Sequence, residues 1–190
     1  MNTQTDNAVH RNNVNGVDVN ALFDTINAVK ANTTLADSQF RATNRWMDGG
    51  HNRSTIQSFR SCGQEDTSRN RPFIMDADEP EVLLGSDQGA NPVEYVLHAL
   101  AACMTTTVIY HAAARGIAIR GMHSALEGDL DLRGFLGLSD EVRRGYQVIR
   151  VRMTVDCDAE PEALAELVRY SPVYDMVSRS LPVEVRFCRA

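Results

Sequence analysis

The sequence lacks the features that mark several large classes of protein. It has a single lysine, Lys30, and a formal net charge of -6, so no basic surface is expected for nucleic acid or an anionic membrane. It contains no Cys-x-x-Cys pair and no cysteine–histidine spacing typical of a zinc site. We therefore expect no metal, no other cofactor, and no nucleic-acid or membrane partner.

The sequence also lacks, near its N-terminus, the apolar stretch that a signal peptide needs. We therefore expect a cytoplasmic protein whose cysteines stay reduced. One long apolar segment does occur, over residues 93–114, but it includes His98, His111 and three consecutive threonines. We interpret it as a helix buried by protein, because this polarity disfavours a membrane span.

Composition divides the chain into a tail, a helical extension and one domain. Residues 1–16 are polar and rich in asparagine, which predicts a disordered tail. In residues 17–37 apolar side chains recur at helical spacing, which predicts an amphipathic helix. Residues 38–190 are long enough to form a single domain with its own core.

Within residues 38–190 the pattern predicts alternating strands and helices. Gly49 and Gly50 indicate a tight hairpin turn between two strands. Asn91 and Pro92 are suited to begin a long helix, and Gly116 to end it. The remaining patterns predict a strand at 71–80, strands at 117–132 and 146–159, a helix broken at Pro172, and a last strand at 182–187.

The segment NPVEYVLHALAAC, residues 91–103, resembles the OsmC/Ohr family of thiol-dependent hydroperoxide reductases. The resemblance extends over about residues 38–190 and includes the strand HSALEGDLDL and the turn Ser171-Pro172. It implies an α+β fold in which curved, antiparallel-type sheets wrap long central helices in an intertwined homodimer. It also implies two active sites at the interface between the subunits, with the N-terminal helix outside the common core.

The resemblance further implies roles for individual residues. Cys103 stands where the family has the cysteine that attacks the peroxide. The family's arginine comes from the first hairpin, which here means Arg53 or Arg45, and Arg53 is our preferred candidate. His51 in the same turn is an alternative donor to a peroxide oxygen, although the fixed fork of an arginine holds thiolate and substrate together better.

The sequence departs from the family pattern in two places. The family's resolving cysteine, which precedes a proline, is replaced here by Ser171, and a hydroxyl cannot form a disulfide. Val93 stands where the family has a glutamate, and Glu94 follows it. By elimination, Cys188 is the best substitute for the resolving thiol.

The helix itself leaves two interpretations of Cys103 open. At ~100° per residue no cation shares its face, and it lies some three turns from the N-terminus, where the helix dipole adds little. A reactive Cys103 therefore needs activation from elsewhere in the fold; otherwise it is a packed thiol, as free cysteines commonly are. The pattern predicts a core position for Cys157 and an exposed one for Cys62.

Five residues are candidates for a substrate pocket beside Cys103. An apolar pocket of this kind suits a fatty or aryl hydroperoxide, but the same apolar residues equally suit a core. The serine among them either donates a hydrogen bond to Cys103 or caps the helix that follows it. The candidates are Tyr110, Phe135, Ser171, Val173 and Tyr174.

Two functions fit these observations. The first is reduction of organic hydroperoxides through Cys103 alone, with an external thiol or dithiol as reductant, in an oxidative stress response. The second is a non-catalytic binding protein whose apolar pocket at the dimer interface holds a small hydrophobic ligand. Hydrolysis of an activated ester by Cys103 is a remote third function, because the helix supplies no base within reach.

Overall fold

The computed structural model of the protein describes residues 12–189. Most of the predicted tail over residues 1–16 lies outside these residues. Its last part differs from the prediction, because β1 (Asn13–Val14) pairs with β2 (Val17–Asp18) in a short antiparallel hairpin. Asn15 in the turn donates to the Ile117 carbonyl over 2.9 Å and accepts from the Ile119 amide over 2.8 Å. These two bonds tie the extension to the rest of the chain.

The predicted helix of the extension is present as α1 (Val19–Ala31). Asp18 caps it by accepting a hydrogen bond from the Ala21 amide over 3.1 Å. Val19 is buried, Leu22, Ile26 and Val29 are half-buried, and Phe23 is exposed; the helix contacts α2 of the same chain. A short 3-10 helix, Thr33–Ala36, then leads into the first sheet.

The first sheet contains the hairpin that Gly49 and Gly50 predicted. Strands β3 (Thr43–Asp48) and β4 (His51–Ile56) form a hairpin around Gly49 and Gly50. The glycine at 49 has a φ of 51°, in the left-handed region that favours a residue without a side chain.

A second, smaller hairpin follows that the sequence pattern did not reveal. It joins β5 (Phe59–Ser61) to β6 (Gln64–Asp66). The predicted third strand, β7 (Phe73–Ala77), then pairs antiparallel with β4. The first sheet therefore has the order β3-β4-β7.

The central helix α2 (Pro92–Ala114) begins and ends as predicted. The Asn91 side chain accepts from the Val93 amide over 3.0 Å, and the Glu94 carboxylate accepts from the Asn91 amide over 2.9 Å. This reciprocal pair satisfies two backbone donors that a helix start leaves free. Glu94 is thereby committed to capping.

The C-terminal half forms a second sheet with helices on one face. Strand β8 (Ile119–Leu130) is followed by the short helix α3 (Leu132–Phe135), and β9 (Tyr146–Cys157) pairs antiparallel with β8. Helices α4 (Pro161–Val168) and α5 (Pro172–Ser178) separate at the predicted break.

The last strand, β10 (Val183–Arg189), is not antiparallel to its neighbour, which corrects the expected antiparallel arrangement for this one strand. It lies parallel to β9, so the second sheet has the order β10-β9-β8. A parallel neighbour requires a long crossover, and α4 and α5 supply it between β9 and β10. Alternation of apolar residues predicts a strand but not its direction.

The core lies between α2 and the inner face of the second sheet. Leu100, Met104 and Val108 of α2 are fully buried, as are Ile149 and Met153 of β9. Their spacing matches one face of a helix against one face of a strand. The predicted core position of Cys157 is confirmed, since it is 7% exposed and belongs to this cluster.

By length and composition α2 also qualifies as a membrane span, which differs from the expectation drawn from its histidines and threonines. The core helix of a folded domain passes the same test. Contacts of α2 with β8, α4 and α5 are those of such a core helix.

The first sheet has no buried residue on either face. Trp46, Phe73 and Ile74 are 69%, 58% and 50% exposed. Three strands without a packed apolar face are marginally stable in water. Within residues 12–189, the first sheet is therefore the sheet whose faces the rest of the chain leaves uncovered.

Candidate functional site

Cys103 lies at the margin of the buried face of α2. Leu100 and Met104, three residues before it and one after it, are fully buried, whereas Cys103 itself is half-buried. Within residues 12–189 its Sγ has no hydrogen-bond partner. A half-buried thiol of this kind is accessible to a small molecule and is not enclosed in the core.

Arg53 and His51 share one carboxylate on the first sheet. The Arg53 guanidinium donates to Asp76 through Nε over 2.8 Å and through a terminal nitrogen over 3.1 Å. The His51 ring lies 2.9 Å from the same carboxylate. The hydrogen bonds from Arg53 and then from His51 hold the pKa of Asp76 below its usual value, and the pair raises the pKa of Arg53.

The cluster of Arg53, His51 and Asp76 faces away from α2 of its own chain. Side chains alternate between the faces of a strand, and Asn52 and Ser54, the neighbours of Arg53, line a cleft against α2. Arg45 is paired with Arg53 in register, so it lies on the same outward face.

The structure therefore does not bring Arg53 or Arg45 to Cys103 within one chain. The resemblance placed an arginine from this hairpin beside the thiol. Alternation along β4 and the register of β3 against it put both arginines on the opposite face of the sheet from α2. The resemblance implies active sites at the interface between subunits, so the expected contact concerns a second copy of the chain.

Ser171 adopts the second of its two predicted roles. It is fully buried at the start of α5, where its Oγ accepts from the Tyr174 amide over 3.3 Å. This bond caps the helix. Val173 and Tyr174 are half-buried against the central core, which favours the core interpretation of these two residues.

The other two pocket candidates lie far apart. Tyr110 is 48% exposed on α2, two turns after Cys103. Phe135 is 68% exposed and lies near the end of the second sheet that carries Tyr146. The Tyr146 hydroxyl donates to the Val93 carbonyl over 2.9 Å, which puts this end of the sheet near the start of α2. Val93 lies about 15 Å along the helix axis from Cys103. Within one chain, Phe135 is therefore not beside the thiol.

Cys188 is not placed to resolve an oxidised Cys103 of the same chain. It is exposed, and its register partner is Thr154, which alternates with the buried Met153 and Val155. Cys188 thus lies on the outer face of the second sheet, and α2 covers the inner face. Cys62 is exposed in the small hairpin, as predicted.

The sequence interpretation missed two acidic residues, Asp76 of the first sheet and Asp78, which holds the loop before α2. Besides Asp76, the buried Asp78 accepts from the backbone amides of Glu79, Ser86 and Gln88 over 2.8, 3.1 and 3.2 Å. Burial raises the pKa of Asp78, but the three donors outweigh it, so its pKa lies below the usual value. Asp78 thereby fixes the loop that leads into α2.

A cleft of about 360 Å³ separates the inner face of the first sheet from the first half of α2. The sequence interpretation did not identify it, although period-two alternation of β4 and β7 combined with the helical period of α2 indicates which residues meet there. Its lining residues are Asn52, Ser54, Met75, Ala77, Pro92, Tyr95, His98 and Ala99.

Comparison with known proteins agrees with this architecture. The family model described as OsmC-like protein matches residues 85–186. A search of curated proteins found no match. Among solved structures, an OsmC-like protein from Mycoplasma pneumoniae has a TM-score of 0.59 at 15% identity, over 80% of this chain and 97% of its own.

Two further solved structures are named as organic hydroperoxide resistance proteins. That from Legionella pneumophila has a TM-score of 0.54 at 15% identity, over 78% of this chain and 95% of its own. That from Elizabethkingia anophelis also has a TM-score of 0.54 at 15% identity, over 80% of this chain and 94% of its own. At this identity the three structures support the fold alone. Because the family model spans more than half of the 190 residues, the chain belongs to the OsmC/Ohr-like family.

Proposed function

We propose that the protein reduces organic hydroperoxides through Cys103 and so contributes to resistance against peroxide stress. The observation that carries this proposal is the position of Cys103, half-buried at the edge of the core on the central helix of an OsmC-like domain. Two structural relatives bear names of organic hydroperoxide resistance, which supports the same role.

The proposed reaction is a two-electron oxidation of the thiolate. The Cys103 thiolate attacks the terminal oxygen of the hydroperoxide, so that a sulfur–oxygen bond forms and the O–O bond breaks. The alkoxide leaves and takes up a proton to become an alcohol, and Cys103 becomes a sulfenic acid. One external thiol then forms a mixed disulfide with loss of water, and a second thiol releases the reduced enzyme.

An external reductant is part of the proposal because of where the other cysteines lie. Cys157 is in the core, Cys188 is on the outer face of the second sheet, and Cys62 is in an exposed hairpin. Cys157 belongs to the core that α2 covers, but it lies at the opposite end of β9 from Tyr146, which contacts Val93 near the start of α2. We therefore propose that none of the three resolves Cys103 within one chain.

We also propose that the working form is a homodimer. The first sheet has no buried residue, and Trp46 and Phe73 stand exposed on its inner face. Packing against a second copy gives this sheet the covered face that three strands need. Arg45 and Arg53 lie on the outward face of the same sheet, so contact of either arginine with a Cys103 thiol requires that the second copy also reach that face.

A second candidate function is binding without catalysis. It is favoured by the commitment of Arg53 to Asp76 and of Ser171 to capping, which leaves Cys103 without an activating group from its own chain. In this function the chain holds a small hydrophobic ligand and the thiol is inert.

Turnover separates the two functions. We expect the purified protein to consume cumene hydroperoxide in the presence of a dithiol, and Cys103→Ser to abolish this activity. Cys62→Ser, at an exposed position, is the matched control and retains full activity. Turnover that persists in Cys103→Ser contradicts the proposal. Alkylation of Cys103 by iodoacetamide only above about pH 8 favours binding without catalysis.

A further inference from the structure

A groove of about 290 Å³ lies on the outer face of the second sheet, the face turned away from α2. Its lining includes Ala125 of β8, whose short side chain leaves room beside Arg152, its register partner on β9. All three strands contribute charged side chains to the walls of the groove. These side chains are Glu127, Arg150, Arg152, Glu184 and Arg186.

Arg152 and Arg186 are cross-strand neighbours on this face, and we refer to them as the facing pair. They are register partners in the parallel ladder of β9 and β10. Arg152 alternates with the buried Val151 and Met153, so both arginines point away from α2, and both are exposed. Two cations placed directly opposite each other on a sheet repel, which destabilises the pair unless an anion lies between them.

The other arginines on the strands of this sheet are paired with carboxylates. Arg120, Arg150 and Arg189 each contact at least one acidic side chain. Arg150, on the same face as the facing pair, donates to Glu127 and Asp129 over 2.6 Å each. The side chains of the facing pair have no hydrogen bond or ion pair among residues 12–189, so their N–H donors remain available to a ligand.

The free groups of the groove indicate which ligand it suits. The fork of one guanidinium matches a carboxylate, whereas two guanidinium groups match a phosphate monoester, with its three acceptor oxygens and nearly two negative charges at neutral pH. Glu184 lines the same groove, so a ligand with further negative groups is repelled. A nucleic acid therefore fits poorly, as does a protein partner, because charged residues are depleted at the centre of protein interfaces.

We propose that Arg152 and Arg186 together bind the phosphate group of a small phosphate monoester. The phosphate replaces the repulsion within the facing pair by charge-assisted hydrogen bonds to both arginines. The groove volume of about 290 Å³ is close to the lower limit for small-molecule sites, so the organic part of the ester is small. The site is separate from Cys103, because α2 packs on the opposite face of the sheet.

Bound phosphate also links the edge of the sheet to its centre. Within one chain, β10 is an edge strand and is hydrogen-bonded to β9 alone. A phosphate that bridges Arg152 and Arg186 joins these two strands through their side chains. The amides of β10 should therefore exchange more slowly with solvent when the ligand is bound.

Binding is testable by calorimetric titration of the full-length protein at low salt and pH 7.5. The three probes are phenyl phosphate, inorganic phosphate and benzoate, the last being a carboxylate with the same ring. We expect one phenyl phosphate per chain, and benzoate weaker by at least about tenfold because it carries less charge and fewer acceptor oxygens. Inorganic phosphate should bind more weakly than the ester, because it leaves the rest of the groove empty.

Substitutions in the groove should change the affinity for phenyl phosphate in opposite directions. Arg152→Gln and Arg186→Gln each remove one of the two guanidinium groups and weaken binding by about tenfold or more. Glu184→Gln removes a like charge from the groove and strengthens binding several-fold. Arg71→Gln, at an exposed position before β7, makes the same change of charge as the arginine variants and leaves the affinity unchanged.

Absence of phenyl phosphate binding, or binding that survives unchanged in both arginine variants of the facing pair, overturns the inference. Benzoate as tight as phenyl phosphate overturns the choice of phosphate, and inorganic phosphate as tight as the ester overturns the choice of a monoester. Unaltered hydrogen exchange along β10 contradicts the bridge between the strands. None of these measurements involves a hydroperoxide, so their outcome is independent of turnover at Cys103.

Discussion

Arg53 and Asp76 form a two-point ion pair across strands β4 and β7, with nitrogen–oxygen distances of 2.8 and 3.1 Å. The pair occupies the outward face of the first sheet, and the inward face lines the cleft against α2. Within one chain, the cation that the resemblance assigned to Cys103 therefore stabilises the hairpin sheet instead.

This ion pair predicts a pH dependence of stability. The pKa of Asp76 is lowered in the folded chain by Arg53 and then by His51. Its stabilising contribution is therefore complete above about pH 4, the unfolded value, and is lost as the pH falls through the lowered folded value. We expect Asp76→Asn to lower the denaturant midpoint at pH 7 and to reduce the loss of stability on acidification.

Asp24→Asn provides the matched control for this measurement. Asp24 is exposed on α1 and has no hydrogen bond or ion pair within residues 12–189. Its substitution should leave both the midpoint at pH 7 and the acid limb unchanged. Equal behaviour of the two variants in urea titrations at a series of pH values contradicts the role assigned to Asp76.

Two glycines on β8 predict opposite responses to the same substitution. A Cβ atom at Gly128 lies 2.5 Å from the Tyr146 ring, whereas one at Gly121 meets nothing closer than 4.0 Å. Gly128→Ala displaces Tyr146, whose hydroxyl holds the second sheet to the Val93 carbonyl. We expect Gly128→Ala to cost about 1–3 kcal/mol in unfolding free energy.

Gly121→Ala should be neutral within about 0.5 kcal/mol or slightly stabilising, because alanine restricts the unfolded chain without a clash in the folded one. Urea unfolding of both variants measures the difference. A cost at Gly121 equal to that at Gly128 contradicts the assigned packing of Tyr146.

The sequence predicted most elements because their signals are local. Asn91, Pro92 and Gly116 mark the ends of α2 through backbone geometry that neighbouring residues determine. Alternation over 146–157 identified the buried face of β9, including Cys157, because only one face of that strand is apolar. Such patterns do not depend on the rest of the fold.

The site was harder to predict because it depends on which face of the first sheet points inward. Both faces of β4 carry polar residues, with His51 and Arg53 on one and Asn52 and Ser54 on the other. Alternation alone cannot orient a strand of this kind. The role of Asp76 was missed for the same reason, since its pairing with Arg53 depends on the register between β4 and β7.

We predict that Asn15 anchors the hairpin before α1 to the chain around Ile117 and Ile119. Asn15 has a φ of 55°, which asparagine tolerates better than most residues, and its side chain bonds to both Ile117 and Ile119. We expect Asn15→Ala to cost about 1–3 kcal/mol through the loss of two hydrogen bonds and the strained backbone. Asn13→Ala, at an exposed neighbouring position, should change the unfolding free energy by less than about 0.5 kcal/mol.

Hydrogen exchange distinguishes loss of the anchor from a general effect. In Asn15→Ala, the amide of Ile119 should exchange faster while core amides of β9 change only with global stability. Unchanged protection of Ile119 contradicts the anchor.

Oxidation tests the placement of Cys188 relative to Cys103. Cys188 lies on the outer face of the second sheet, whereas α2, which carries Cys103, packs on its inner face. A disulfide requires Cα atoms within about 7 Å, and two residues separated by a sheet do not meet this condition without unfolding. We therefore expect hydroperoxide, followed by a small thiol, to yield a mixed disulfide at Cys103 and no Cys103–Cys188 bond within one chain. Mass spectrometry of non-reduced peptides measures both species, and Cys188→Ser should leave the yield of mixed disulfide unchanged. An intrachain Cys103–Cys188 peptide in the native protein contradicts the arrangement of α2 and the second sheet, and with it the need for an external reductant.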